Sequence, residues 1–239
     1  MKLLSVTPAP HIWAKDDTQS IMRDVLIALA PAFIASIVIF GIKALLVTVV
    51  CVVAAVLSEF IFEKAVKRPV TITDLSAAVT GVLLSFCLPY DIPLWIAALG
   101  SVIAIVVVKQ LFGGIGKNIM NPALTARAVM LVSWPALMTT WAAAGSRTPF
   151  FQSTQAAVDA VSSATPMAAL HTGALPDSSV LDAFLGNVGG SFGETSALLL
   201  LIGGLYLVLR KVISPRIPLC FIGTVAVLTF LFPQGNDRL

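Results

Sequence analysis

Apolar runs separated by short polar intervals set the rhythm of this chain. Seven runs stand out, at residues 24–42, 44–62, 73–90, 92–111, 121–142, 195–212 and 217–235. Several approach the ~20 residues that an α-helix needs to cross a hydrocarbon core. Lipid offers no partner to backbone N–H and C=O groups, so segments of this length must bond internally, as helices. The third and sixth runs are shorter and richer in small residues, which predicts that neighbouring helices shield them. Residues 1–23 form a polar, partly amphipathic lead-in. Its His11-Ile12-Trp13 suits the membrane interface, where Trp is favoured.

Composition sharpens this picture. Of 239 residues, 58% are hydrophobic and 11% are charged, against about 25% charged in a typical soluble domain. An ordinary soluble fold is excluded and an all-α polytopic membrane protein is expected, with lipid and not nucleic acid as its surroundings. Cys51, Cys87 and Cys220 lie far apart inside apolar runs, so they form neither a metal-ligand spacing nor a disulfide framework and read as small buried hydrophobes. No metal site and no catalytic side chain is expected. The first twenty residues are polar and carry Lys2, Lys15, Asp16 and Asp17, unlike a cleavable signal peptide.

The net charge of +3 matters less than where the cations fall. With the N-terminus in the cytoplasm, twelve of the fifteen Lys and Arg residues fall on the inner side of the helical alternation. Only Lys43, Arg147 and Arg238 fall outside. Positive residues favour the cytoplasmic side, so this split predicts a cytoplasmic N-terminus. The units that follow are a lead-in (1–23), a first five-helix membrane unit (24–142), an outer loop (143–194) and the start of a second membrane unit (195–239). In a bacterium the membrane is the inner one.

The outer loop holds Asp159-Ala160-Val161-Ser162-Ser163-Ala164-Thr165-Pro166. On residue chemistry alone this is a hydroxyl-rich turn: Ser and Thr bond their own backbone and Pro stops a helix. Loops this long between helices tend to be functional. The inner side holds a second landmark, Gly113-Gly114-Ile115-Gly116-Lys117-Asn118-Ile119-Met120-Asn121-Pro122-Ala123. It is not a phosphate-binding P-loop, because no strand precedes it and no Gly-Lys-Ser/Thr closes it. Asn121 is expected to cap a helix whose first residue is Pro122.

The acid at Asp159 and the Ser162-Ser163-Ala164-Thr165 run resemble the flavinylation motif of membrane subunits in Rnf-type and Nqr-type redox pumps. Ser163 stands where that family most often has Gly. The Lys109–Leu124 stretch and Thr73-Asp74-Leu75-Ser76-Ala77-Ala78-Val79-Thr80-Gly81, followed by Leu88-Pro89, resemble hallmarks of the same subunits. The order and topology favour the D subunit of Rnf over the B subunit of Nqr. The resemblance implies FMN esterified through its phosphate to Thr165 by an FMN transferase that reads Asp159, Ser162, Ser163 and Ala164. It implies one-electron relay coupled to Na⁺ or H⁺ movement, with the other subunits of the complex as partners. A second flavin, riboflavin or noncovalent FMN, is placed near Asn118 and Asn121.

The family fold is similar to urea transporters, with inverted repeats of five helices and about ten helices, whereas seven apolar runs are present here. A C-terminally truncated chain with an incomplete second repeat is therefore expected. A channel or transporter of that fold without a redox role is the alternative; it would need a polar midplane site lined by broken helices. Thr165 discriminates, since a pure transporter has no use for a flavin anchor. A cofactor-free assembly scaffold is a third possibility. Glu59, Asp74, Lys109 and Arg127 are ionisable residues within or beside apolar runs. An ionisable group in a span suggests function, but Glu59, Lys109 and Arg127 lie near helix ends, where snorkelling to the interface is expected.

Overall fold

The computed structural model describes residues 17–141, 179–186, 188, 190, 191, 193 and 196–232. The described residues are helical, joined by turns. The elements are α1 (Thr18–Phe40), α2 (Ile42–Ala65), a 3₁₀ turn (Ile72–Asp74), α3 (Ser76–Phe86), α4 (Leu94–Gln110), α5 (Pro122–Ser133), α6 (Pro135–Thr139), α7 (Val180–Leu185), α8 (Ala197–Leu209) and α9 (Arg216–Leu231).

Each predicted run contains a helix, but the lengths differ. Only α1 and α2, with 23 and 24 residues, are long and apolar enough among the described helices to cross a membrane by themselves. Between them Gly41 takes φ +82°, a left-handed-region conformation that a side chain resists, and the chain reverses there. The fifth run is split, because Pro135 cannot continue the helix and forces Trp134 out of it, to φ −134° and ψ 63°. The second half of α4, Ile103–Gln110, is π-helical. A π-turn has more residues per turn than an α-turn, so neighbouring side chains are separated by a smaller angle. That lets the adjacent Lys109 and Gln110 both be buried. Short α7 falls outside every apolar run, within the expected outer loop, and starts on a capping box of Ser179 and Asp182.

α2 is the central post, packed against α3 and α4, while α1 packs along α8. Small residues allow the close approaches. A Cβ on Gly81 of α3 would lie 2.8 Å from the Val52 Cα of α2, and one on Gly203 of α8 would collide with the Ala28 carbonyl oxygen of α1. Such contacts are how helices associate where lipid is as apolar as the side chains. The core between the helices holds Phe40, Leu84, Ile96 and Met130 among many alanines.

Polar contacts sort the helix ends. Lys43, just after the α1–α2 turn, pairs with Asp91 in the α3–α4 turn. At the other end Asp24 of α1 meets Arg210 after α8 at 3.1 Å, and Glu59 of α2 meets Lys109 of α4 at 2.5 Å. The helices therefore alternate in direction, and the second end collects Arg23, Lys64, Lys67, Arg68, Lys109, Lys117 and Arg210. It is called the basic end below. α2 and α8 both finish there in the same way. Lys67 and Lys211 each take φ +60°, and the next residue donates its N–H back to Glu63 O at 2.9 Å or Leu207 O at 3.0 Å. This left-handed C-terminal cap satisfies carbonyls that the helix leaves open.

Candidate functional site

Asp159, Ser162, Ser163, Ala164 and Thr165 lie outside the described residues. The Gly–Asn landmark is described, and it lies at the basic end. Asn121 caps α5 as expected: its Oδ1 accepts from Ala123 N at 3.0 Å and Leu124 N at 3.2 Å, with Pro122 in the first turn. Asn118 is different. Its Oδ1 is buried and accepts no hydrogen bond. Buried acceptors are normally paired, so an unpaired one marks a place for a donor. A polyhydroxylated, N–H-bearing group such as a flavin fits that requirement at Asn118. The Asn121 oxygen is already committed to the helix.

The most elaborate polar site of the described chain is at the same end, between α2, the 3₁₀ turn, α3 and α4. It begins with a strained turn. Leu75 takes φ +63°, which a bulky side chain rarely adopts. Asp74 holds the turn: its Oδ1 accepts from Ser76 N at 2.8 Å and from Ser76 Oγ at 2.6 Å. With its proton spent on Asp74, Ser76 Oγ accepts from Lys109 Nζ at 2.6 Å. Lys109 Nζ also donates to Glu59 Oε1 at 2.5 Å, and Gln110 Nε2 donates to the same oxygen at 2.6 Å.

Glu63 lies one turn along α2 from Glu59, on the same face. It accepts from Thr71 Oγ1 at 2.5 Å, Thr71 N at 3.0 Å and Gln110 Nε2 at 3.4 Å. Arg68 closes the end of the site by donating to Gln110 O at 3.3 Å.

Burial makes this cluster unusual. Glu59, Glu63, Lys109 and Gln110 are 0%, 2%, 2% and 3% exposed. Snorkelling of Glu59 and Lys109 is thereby overturned. α2 runs on to Ala65, so Glu59 lies more than a turn inside the helix, on the buried face it shares with Ala55 and Glu63, and the π-turn swings Lys109 inward. Asp74 and Arg127 are half-buried. Two buried carboxylates face one buried ammonium, and one oxygen, Glu59 Oε2, has no partner. That oxygen can accept a further hydrogen bond or meet a cation. Sequence reasoning does not join the i,i+4 acid pair and the neighbouring Lys109-Gln110 into one constellation, although both are polar pairs within or beside apolar runs.

Long apolar helices, close small-residue packing and ions turned inward define an all-helical membrane protein. The chain belongs to the NQR2, RnfD, RnfE family, whose model matches residues 5–238. It is 47% identical over 236 residues to the D subunit of the Na(+)-translocating ferredoxin:NAD(+) oxidoreductase complex of Acetobacterium woodii, covering 97% of this chain and 70% of that one. It is 42% identical over 241 residues to the D subunit of the proton-translocating ferredoxin:NAD(+) oxidoreductase complex of Clostridium ljungdahlii, covering 96% and 70%. The D subunit of the ion-translocating oxidoreductase complex of Rhodobacter capsulatus is 37% identical over 252 residues, covering 94% and 70%.

Proposed function

We propose that this chain is the D-type membrane subunit of an Rnf-type ion-translocating oxidoreductase complex, and that it carries FMN as a phosphoester on Thr165. The observation that supports the cofactor is the Asp159…Ser162-Ser163-Ala164-Thr165 motif, in a chain whose family membership rests on other residues as well. Bound flavin supplies electron transfer; the protein's part is to hold it and to exclude competing reactions. Thr165 gives the ester oxygen, Pro166 restricts the chain after it, and Ser162, Ser163 and Ala164 leave room for the FMN transferase. The N-terminus is cytoplasmic, the membrane is the bacterial inner membrane, and Thr165 lies on the outer face, as the twelve-to-three division of Lys and Arg favours. The seven apolar runs are then the first five-helix unit and part of a second, in a urea-transporter-like arrangement. A second flavin, riboflavin or FMN, lies beside Asn118.

Electron transfer is coupled to Na⁺ or H⁺. The relatives from Acetobacterium woodii and Clostridium ljungdahlii are named for different ions, so similarity to them favours neither. The described group best placed to meet a moving cation is Glu59, through its unpaired buried oxygen.

The test is covalent flavin. After co-expression with an FMN transferase, the denatured chain fluoresces under ultraviolet light, and the peptide spanning residues 151–175 carries the mass of FMN. Thr165→Ala abolishes the signal while the protein still inserts, and Ser162→Ala only weakens it. An unmodified parent peptide under these conditions refutes the flavin assignment and leaves an ordinary Ser/Thr turn.

A further inference from the structure

A groove of about 440 Å³ runs between α2 and α4, on the side away from the buried ion cluster. Ala54, Leu57, Ile61 and Ala65 of α2 and Val102 and Val106 of α4 line it. Its one hydroxyl, Ser58 Oγ, is spent on Ala55 O at 2.9 Å, so the walls are hydrocarbon. From Ala54 to Ala65 the groove follows α2 for about 16 Å at 1.5 Å per residue. That is close to half of the ~30 Å hydrocarbon core, the depth of one leaflet.

Charge is segregated where the groove meets the basic end. The carboxylates Glu59 and Glu63 point inward and are buried; Asp74 is held by Ser76. The cations Lys64, Lys67 and Arg68 point outward and are exposed. Lys64 adjoins Ala65, the last groove residue of α2, Lys67 and Arg68 follow within three residues, and Arg68 donates to the last carbonyl of α4, joining the ends of the two helices that wall the groove. An apolar slot one leaflet deep, ending in three cations with no exposed acid among them, matches one ligand chemistry. We propose that the α2–α4 groove binds an anionic phospholipid, one acyl chain lying in the slot and the phosphate held by Lys64, Lys67 and Arg68. A zwitterionic lipid would fill the slot but gain little from the cations. An apolar helix of a partner protein would cover the slot and leave the cations unused.

The experiment uses the full chain in phosphatidylcholine bilayers with a trace of either phosphatidylglycerol or phosphatidylcholine, each bearing the same photoreactive diazirine in one acyl chain. Labelled peptides are mapped by mass spectrometry. Phosphatidylglycerol is expected to label residues 54–65 and 102–106 more strongly than phosphatidylcholine, by about fivefold or more for even one engaged cation. α1 around Ile27, half exposed and close to exposed Arg23, serves as the comparison and is expected to show a smaller preference. Changing Lys64, Lys67 and Arg68 together to Gln is expected to bring phosphatidylglycerol labelling of the groove down to the phosphatidylcholine level. Equal labelling by the two lipids overturns the proposal. So does an equal preference at Ile27, which reports only general attraction to a basic face, and so does labelling absent from the groove, as when protein covers it. The lipid comparison on the unmodified chain stands even where the triple variant does not insert.

Discussion

Each end of the bundle carries an ion pair that ties α2 to the α3–α4 hairpin, and the two pairs sit in different media. Lys43 and Asp91, at the end opposite the cations, have side chains 20% and 22% exposed. Lys109 and Glu59, at the basic end, are 3% and 0% exposed. The first pair lies at a turn, within reach of water and headgroups. The second is sealed among helices, where each charge depends on its partners. An exposed pair is worth ~0–1 kcal/mol, because water already solvates both ions. A buried pair gains little over an apolar substitute, yet losing one member costs much more, because the other is left uncompensated. The basic end is thus where single substitutions should be felt. Hydrogen bonds from Gln110 to Glu59 and from Thr71 and Gln110 to Glu63 are what make two buried carboxylates tolerable there.

The largest effect expected from this contrast is at Lys109. Lys109→Met leaves Glu59 with one hydrogen-bond donor and no counter-charge, and should cost about 3–5 kcal/mol. The double change Glu59→Gln/Lys109→Met should recover most of that loss, since both charges are then gone. Unfolding of the purified chain in mild detergent reads both. Glu59→Gln in the assembled complex should also reduce ion uptake into vesicles while the flavin proposed on Thr165 is retained. If Lys109→Met unfolds like the parent, the site is more hydrated than its burial indicates, and the contrast between the two ends fails.

How much of this is legible in the chain differs from residue to residue. Among the described residues the seven apolar runs locate every helix but one, because hydropathy over about twenty residues is a strong signal. They pass over α7, whose six residues are too few to make a run. Asn121-Pro122 marks a helix start correctly, since the cap needs only two adjacent residues. The inward charges are harder to see. Glu59 and Lys109 are 50 positions apart, and near a helix end either could snorkel. What turns them inward is the place of Glu59 on the buried face of α2 and the π-turn in α4, and an uninterrupted run such as Ile103-Ala104-Ile105-Val106-Val107-Val108 carries no mark of a π-turn. The break at Ser133 escapes for a simpler reason: Trp134-Pro135 lies within an apolar run, and hydropathy alone passes over a proline that geometry does not.

A middle-sized effect is expected at Asn121. Its side chain closes two open N–H groups of α5, so Asn121→Ala should cost ~0.5–2 kcal/mol. The same variant tests the second flavin. Because the Asn121 oxygen is committed to the cap while the Asn118 oxygen is free, Asn118→Ala should lower noncovalent flavin in the purified protein more than Asn121→Ala does. The reverse order would move the flavin contact to Asn121 and leave the buried Asn118 oxygen unexplained. Unchanged flavin in both variants would remove the cofactor role from this loop altogether.

The smallest effect belongs to the opposite end. Lys43 and Asp91 are drawn together between two turns, and each keeps a face open to its surroundings. Lys43→Gln alone should cost no more than ~1 kcal/mol, and Asp91→Asn about the same. The coupling between them, from the single and double variants, isolates the pair from whatever else each side chain touches. A coupling below ~1 kcal/mol places the pair with exposed ion pairs. It should also weaken as salt is raised, since exposed charges are screened. A coupling as large as that of Lys109 and Glu59, insensitive to salt, would mean that the fold itself seals this end too, and the contrast between the two ends would be lost.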